Sequence, residues 1–204
     1  MKKPLAFLTC GALRREVRFL IRARGWEADV YPVPALHHLV PKLIVSTVRA
    51  RLESLRDQYE RFIVVYGDCG TAGALDEALQ GFPAVRPAGP HCYQMFAGQD
   101  FDRILDERPG TFFLTDWLIR AFERAVVEAL GLDRYPELHE MYFGNYTHLL
   151  YLQQFSDGGL EEGARRIATY LGLPLEIRHV GLGDLERRLI ELVEQPAEVR
   201  SAAG

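Results

Sequence analysis

The run RFIVVYG (61–67) is apolar without a break from Phe62 to Tyr66. A strand with one wet face alternates apolar and polar residues, so an unbroken run reads as a strand covered on both faces, as in a parallel sheet. GTFFLT (110–115) repeats the pattern. A chain with such strands needs helices to cover both faces, and the intervening segments have helical spacing. In ALRREVRFLIRAR, Leu13, Val17, Leu20 and Ile21 share one stripe, and Gly25 stops it. EADVYPVP (27–34) predicts a strand, and a helix follows over 42–59 with Leu43, Val48, Leu52 and Leu55 inward.

A helix is predicted near 71–80, then a Gly- and Pro-rich loop, GFPAVRPAGPHCYQMFAG. After 110–115 comes one long helix, DWLIRAFERAVVEALG, with Asp116 placed to cap it. YPELHEMYFGNY predicts a short helix, THLLYLQQF a strand, and GGLEEGARRIATYLG a helix. LPLEIRHVG is then a strand, LGDLERRLIELVEQ the last helix, and PAEVRSAAG a frayed tail. Strands alternating with helices define an α/β fold with a mainly parallel sheet and helices on both faces. The runs 61–66 and 111–115 are expected to be its central strands.

At 204 residues and 48% hydrophobic, the chain suits one α/β domain over 1–204. FLTCGALRRE (7–16) is echoed by FLTDWLIRAF (113–122), which suggests two related halves, 1–109 and 110–196, with Asp116 standing where Cys10 stood. A net charge of −4 argues against a nucleic-acid binder, which needs a basic face to neutralise phosphates. The start MKKPLAFLTCGALRREV resembles a secretory signal, but Arg14, Arg15 and Glu16 end its apolar run early. No run approaches the roughly 20 apolar residues that span a bilayer. The expectation is a cytoplasmic protein with neither nucleic-acid nor membrane partners.

The chemistry gathers on three cysteines. An odd, small number does not make a disulfide framework and points to thiols. Cys10 and Cys69 each follow a predicted strand and precede a helix, and open α/β sheets bind ligands at the carboxyl ends of their strands. Cys92 sits in GPHCYQMF, a loop that can fold over that edge. Gly11, Gly67, Gly70 and Gly73 allow backbone to approach a bulky group. The spacings fit neither a zinc ribbon nor a ferredoxin.

Three convergent thiolates favour a [4Fe–4S] cluster with one iron open to a small-molecule substrate. The alternative is zinc, with His91, His37 or His38 as a fourth ligand. Asp68, His91 and Asp116 are the candidate catalytic groups for proton transfer. Gly11, Gly70 and Asn145 are candidate cofactor-binding positions. Each has a plainer reading: turn aspartate, helix cap, packed histidine, apolar cysteine filler. The histidines of PALHHLVP read first as a turn, and Tyr142, Tyr146 and His148 of MYFGNYTHLLYL as packing. No Walker loop, G-x-G-x-x-G, H-E-x-x-H or G-x-S-x-G occurs.

The set CGALRREV, LHHLVPKL, YGDCGTAGALDEAL, GPHCYQMFAG, GTFFLTDWLIRAFE, FGNYTHLLYLQ and ARRIATYLGLPLE resembles a bacterial and archaeal family classed as a domain of unknown function. Cys10, Gly11, Asp68, Cys69, Gly70, His91, Cys92, Thr115, Asp116 and Asn145 match its motifs. Its members often look like neighbours of corrinoid-dependent methyltransferases in methylamine metabolism. The resemblance therefore implies corrinoid or methyltransferase proteins as partners, including an accessory role without turnover. In site logic alone the chain is also similar to small desulfidases, whose three cysteines hold a cluster with an open iron. The expected chemistry is that of a lyase or desulfidase; a metal-free cysteine nucleophile is the remaining alternative.

Overall fold

The computed structural model describes residues 2–194, so the tail read as frayed lies outside the described residues. The chain is α/β, with two separate parallel sheets in place of the single sheet expected. Contacts divide it into two units. The first comprises Met1–Cys92 with Leu185–Gly204, and the second Tyr93–Asp184.

In the first unit β1 (Lys3–Cys10), β2 (Ala28–Val33), β3 (Tyr59–Val65) and β4 (Ala84–Val85) are ordered β2-β1-β3-β4. The chain leaves β1 toward β2, then returns past β1 to β3. The sheet thus has a topological switch point between β1 and β3. Right-handed crossovers place α1 (Arg14–Arg24) on one face, and α2 (Pro41–Leu55) and α3 (Ala74–Leu79) on the other. The last helix, α9 (Gly183–Glu194), joins the α1 side, where Glu186 pairs with Arg24 at 2.6 Å. With both faces covered, Phe62, Ile63, Val64 and Val65 are fully buried, each stabilising the fold by about 1.5–3 kcal/mol.

Leu13, Val17 and Leu20 form the buried stripe of the first helical segment, and Gly25 closes α1 in the left-handed conformation with φ 65°. In α2 the inward residue is Ile44, not Leu43, which is 44% exposed. The stripe Ile44, Val48, Leu52, Leu55 keeps the 3/4 spacing more regularly than one begun at Leu43.

In the second unit β5 (Thr111–Thr115), β6 (His148–Gln153) and β7 (Leu175–His179) are ordered β5-β6-β7, wound in one direction without a switch point. The expectation that 61–66 and 111–115 are both central holds for β3 only, since β5 is an edge strand. Its apolarity reflects covered faces. Phe113 is stacked by Tyr93 of α4 (Cys92–Ala97) at 5.3 Å and met by Phe101 of α5 (Asp100–Glu107) at 5.5 Å. Leu114 joins the core beneath α6 (Asp116–Phe122) and α8 (Gly158–Leu171).

The expected long helix at 116–131 ends as α6 at Phe122 and widens into a π-helical segment, Glu123–Glu128. There Leu132 N–H donates to Val127 O at 2.8 Å. Thr115, not Asp116, caps α6, its hydroxyl accepting from Leu118 N–H at 3.3 Å. α7 (Leu138–Phe143) precedes β6 as expected.

Candidate thiol site at the switch point

Cys10 is the last residue of β1, and Cys69 follows β3 by four residues, at the carboxyl ends of the two strands that flank the switch point. This crevice is where open α/β sheets hold ligands. A single 3₁₀ turn, Gly11–Leu13, follows Cys10 and leads into α1. The Cys10 side chain accepts no capping hydrogen bond there, though the N–H groups of Ala12 and Leu13 favour its thiolate electrostatically. Gly11 is tight against β2's exit, where a Cβ would meet Val33 O at 3.1 Å.

The Cys69 loop is built by Asp68. Its carboxylate accepts from Thr71 Oγ1 at 3.0 Å, Ala72 N–H at 3.1 Å and Gly73 N–H at 3.0 Å. Hydrogen bonds from Gly73 first, then Thr71 and Ala72, hold the Asp68 carboxyl below its ordinary range. The loop so formed forces Cys69 into the left-handed region, with φ 49°. For a non-glycine residue such strain costs about 1–3 kcal/mol and persists where surrounding bonds over-determine it. Gly70 follows at φ 80°, exposed, with its Cα side 3.3 Å from the Pro41 ring were a Cβ present.

Cys92 is carried to the same place by backbone pairing between loops. Asp68 N–H donates to Gly89 O at 2.8 Å, and Cys69 N–H donates to Pro90 O at 2.7 Å. Gly67 permits this approach: a Cβ there would stand 2.5 Å from His91 Cα and 2.6 Å from His91 N. Arg86 fixes the base of the loop through Asp76, with Nε to Oδ1 at 2.7 Å, and Arg188 of α9 donates to Ala88 O. The Gly- and Pro-rich stretch read from sequence as a loop is therefore held down, and its Cys92–Ala97 portion is helix α4. Met95 and Phe96 are buried within the second unit, as their apolar character demands.

All three cysteines are free thiols, and they are near enough to feel one another's charge. Burial pushes the Cys10 thiol up to about 12, opposed by the Ala12 N–H and reinforced by charge on Cys69. Burial likewise lifts Cys69 to about 11, against a backbone hydrogen bond from Gly67. Burial holds Cys92 well above the usual thiol range, with charge on Cys10, Cys69 and Glu16 adding. Nearby backbone N–H groups oppose the rise at each sulfur: Ala12 and Leu13 at Cys10, Gly67 at Cys69, and the Cys92 amide at Cys92. Among the described residues, no three His, Cys, Asp or Glu side chains close on a point as the ligands of a metal ion do.

The structure also brings in residues that the sequence did not single out. Tyr66 is buried, and Cys10 and Cys69 both act electrostatically on its phenol. Glu16 is 2% exposed and acts electrostatically on Cys92. Its signal was present: at the i+3 position after Leu13 it lies on the apolar stripe of the first helical segment, where a carboxylate is out of place. Arg86 acts on Cys69 from a segment that nothing in the sequence marks. His91 borders the site, its pKa lowered by burial and by His38, and is therefore neutral near pH 7. His38 is bonded to Ala35 O at 2.5 Å, its ring 6.1 Å from that of Tyr66.

Asp116 and Asn145 belong to the second unit, whereas the thiols belong to the first. Asp116 is fully buried and ties β5 to the end of β6, accepting from Tyr151 Oη at 2.8 Å, Gln154 N–H at 2.9 Å and Phe155 N–H at 3.3 Å. Asn145 is exposed in the turn before β6.

Fold and site together define a parallel α/β protein with a thiol-lined switch point. The chain belongs to the family described as Protein of unknown function (DUF1638), whose model matches residues 33–189 and so takes in Cys69 and Cys92. No curated protein and no solved structure matches it.

Proposed function

We propose that Cys10, Cys69 and Cys92 hold an iron–sulfur cluster, [4Fe–4S] in type, with one iron left open for a small-molecule substrate. The observation that carries this reading is the placing of three free thiols about one switch point, close enough to act on one another electrostatically and each near a backbone N–H that favours its thiolate. Hydrogen bonds to sulfur are a recurrent means by which proteins stabilise cluster thiolates. A cubane's thiolates each bind a different iron, so they stand further apart than the ligands of one ion. Thiols that sense one another without closing on a single point suit that spacing.

When bound, such a group supplies a Lewis-acidic iron for lyase or desulfidase-type chemistry. The chain's own residues do the rest. His91, neutral near pH 7 and beside Cys92, can accept or return a proton. Asp68 keeps the loop in the conformation that presents Cys69. Asp116 serves the second unit as a clamp.

A cysteine nucleophile fits less well. Nucleophilic thiols have depressed pKa values, and burial raises all three here. Zinc held by the three cysteines and His91 is the second reading: the neutral imidazole suits it, but no three such side chains among the described residues close on one point.

No helix among the described residues is long and apolar enough to cross a membrane. A cytoplasmic location fits free thiols. Corrinoid or methyltransferase proteins are the proposed partners should the loaded protein bind no substrate of its own.

Anaerobic incubation with ferrous iron and sulfide, followed by metal and sulfide analysis, tests the reading. A brown protein with a broad absorption near the thiolate-to-iron region supports it. A colourless protein retaining one zinc replaces it with the second reading.

A further inference from the structure

Tyr66 follows the last residue of β3 and is 1% exposed, yet its hydroxyl has no conventional hydrogen-bond partner among the described residues. Buried hydroxyls are nearly always satisfied, and an orphan calls for an explanation in a bound group or a functional state. The pairing of Thr9 with Val65 makes Cys10 and Tyr66 the next residues on two adjacent strands, and the groups that act on this phenol are the Cys10 thiol first, then Cys69. The N–H groups of Ala12 and Leu13 also act on Cys10, so with the phenol three donors lie near one sulfur. A neutral thiol is a weak acceptor and gives three donors little to bind. A metal-bound thiolate carries negative charge and can take all three.

Local structure fixes Tyr66 in this role. Arg86 Nη1 donates to the Tyr66 carbonyl at 3.4 Å, and Gly67, pressed against His91, follows it. These contacts hold its backbone, and burial confines its ring.

We infer that Tyr66 is a positioning residue that hydrogen-bonds the Cys10 sulfur when that sulfur carries metal, and thereby tunes the reduction potential of the cluster. The inference rests on the cluster reading above. A donor on a ligand sulfur favours the more negative, reduced form, so it raises the potential and slows loss of the ligand.

The test compares the full-length chain with Tyr66→Phe, which keeps the ring and removes the hydroxyl. Both are studied metal-free and after reconstitution with iron and sulfide. The metal-free variant should melt no lower than the parent, because the deleted group had no conventional partner. The loaded variant should show a lower midpoint potential and lose iron to a chelator about ten-fold faster. A variant that folds as well as the parent but takes up less than about a tenth of its iron supports the inference equally.

Unchanged potential and iron loss in a loaded variant would overturn the role of Tyr66 and leave the cluster reading intact. A metal-free variant melting well below the parent would overturn it too, by showing the hydroxyl to be structural. A parent chain that takes up no iron and sulfide overturns the cluster reading, and this inference with it.

Discussion

At the scale of single residues the thiols carry the account. Replacing Cys92 by Ser should release the metal while leaving far-ultraviolet circular dichroism unchanged, because the apolar sheet and helices supply the core. Retained metal in that variant would mean that Cys92 is packing. The metal-free protein offers a second check through pH. Cys10 and Cys69 have pKa values raised from 9.0 to about 12 and about 11. Below pH 9 both folded and unfolded chains keep these protons, and the stability due to burying neutral thiols is fully present. As pH rises from about 9 toward 12 the unfolded chain releases protons that the folded chain retains, so stability falls. Urea midpoints across that range should drop more steeply for the parent than for Cys10→Ala; parallel curves would contradict the burial assigned to Cys10. Cys10, Cys69, Cys92 and His91 stood out in the sequence as candidates because glycines and strand ends surround them. Tyr66 did not, because a tyrosine closing a buried strand looks like any other core aromatic.

At the scale of elements the decisive contact is between two loops, 67–73 and 86–91, joined by backbone hydrogen bonds and by a glycine that lets one lie on the other. Gly67→Ala should place a methyl group within backbone atoms of His91, lowering stability by about 1–3 kcal/mol and impairing metal retention together. Chemical denaturation and metal analysis on that variant check both, and an unchanged metal content with a large loss of stability would separate the loop from the site. The strands were readable because fully buried strands lack alternation. The helix α5 was not, since QDFDRILDER directly follows a Gly- and Pro-rich loop, and only Phe101 and Ile104 mark its buried face. The π-helical turn was not either, because Glu123–Glu128 contains no glycine or proline to announce a change of helix. Strand pairing is non-local, so neither the second sheet nor the edge position of β5 had a signal in any short stretch.

At the scale of the whole molecule, the two units differ in winding, and only the four-stranded sheet of the first has a switch point. The echo between FLTCGALRRE and FLTDWLIRAF is one of local element order. β1 lies between two neighbours and β5 has one, so the same local sequence meets a crevice in the first unit and none of that kind in the second. Asp116 correspondingly became a clamp. Asp116→Ala strands the Tyr151 hydroxyl and two backbone N–H groups, and should lower stability by about 2–4 kcal/mol without changing metal per chain. Thermal unfolding and metal analysis of that variant check both parts. The central claim is that the first unit holds an iron–sulfur cluster on three thiolates. The most direct measurement is iron and acid-labile sulfide per chain after anaerobic reconstitution, read with the electron paramagnetic resonance of the reduced protein. The account predicts about four of each and a reduced-cluster signal; a chain that stays free of iron and sulfide, with its three thiols still titratable, would contradict it.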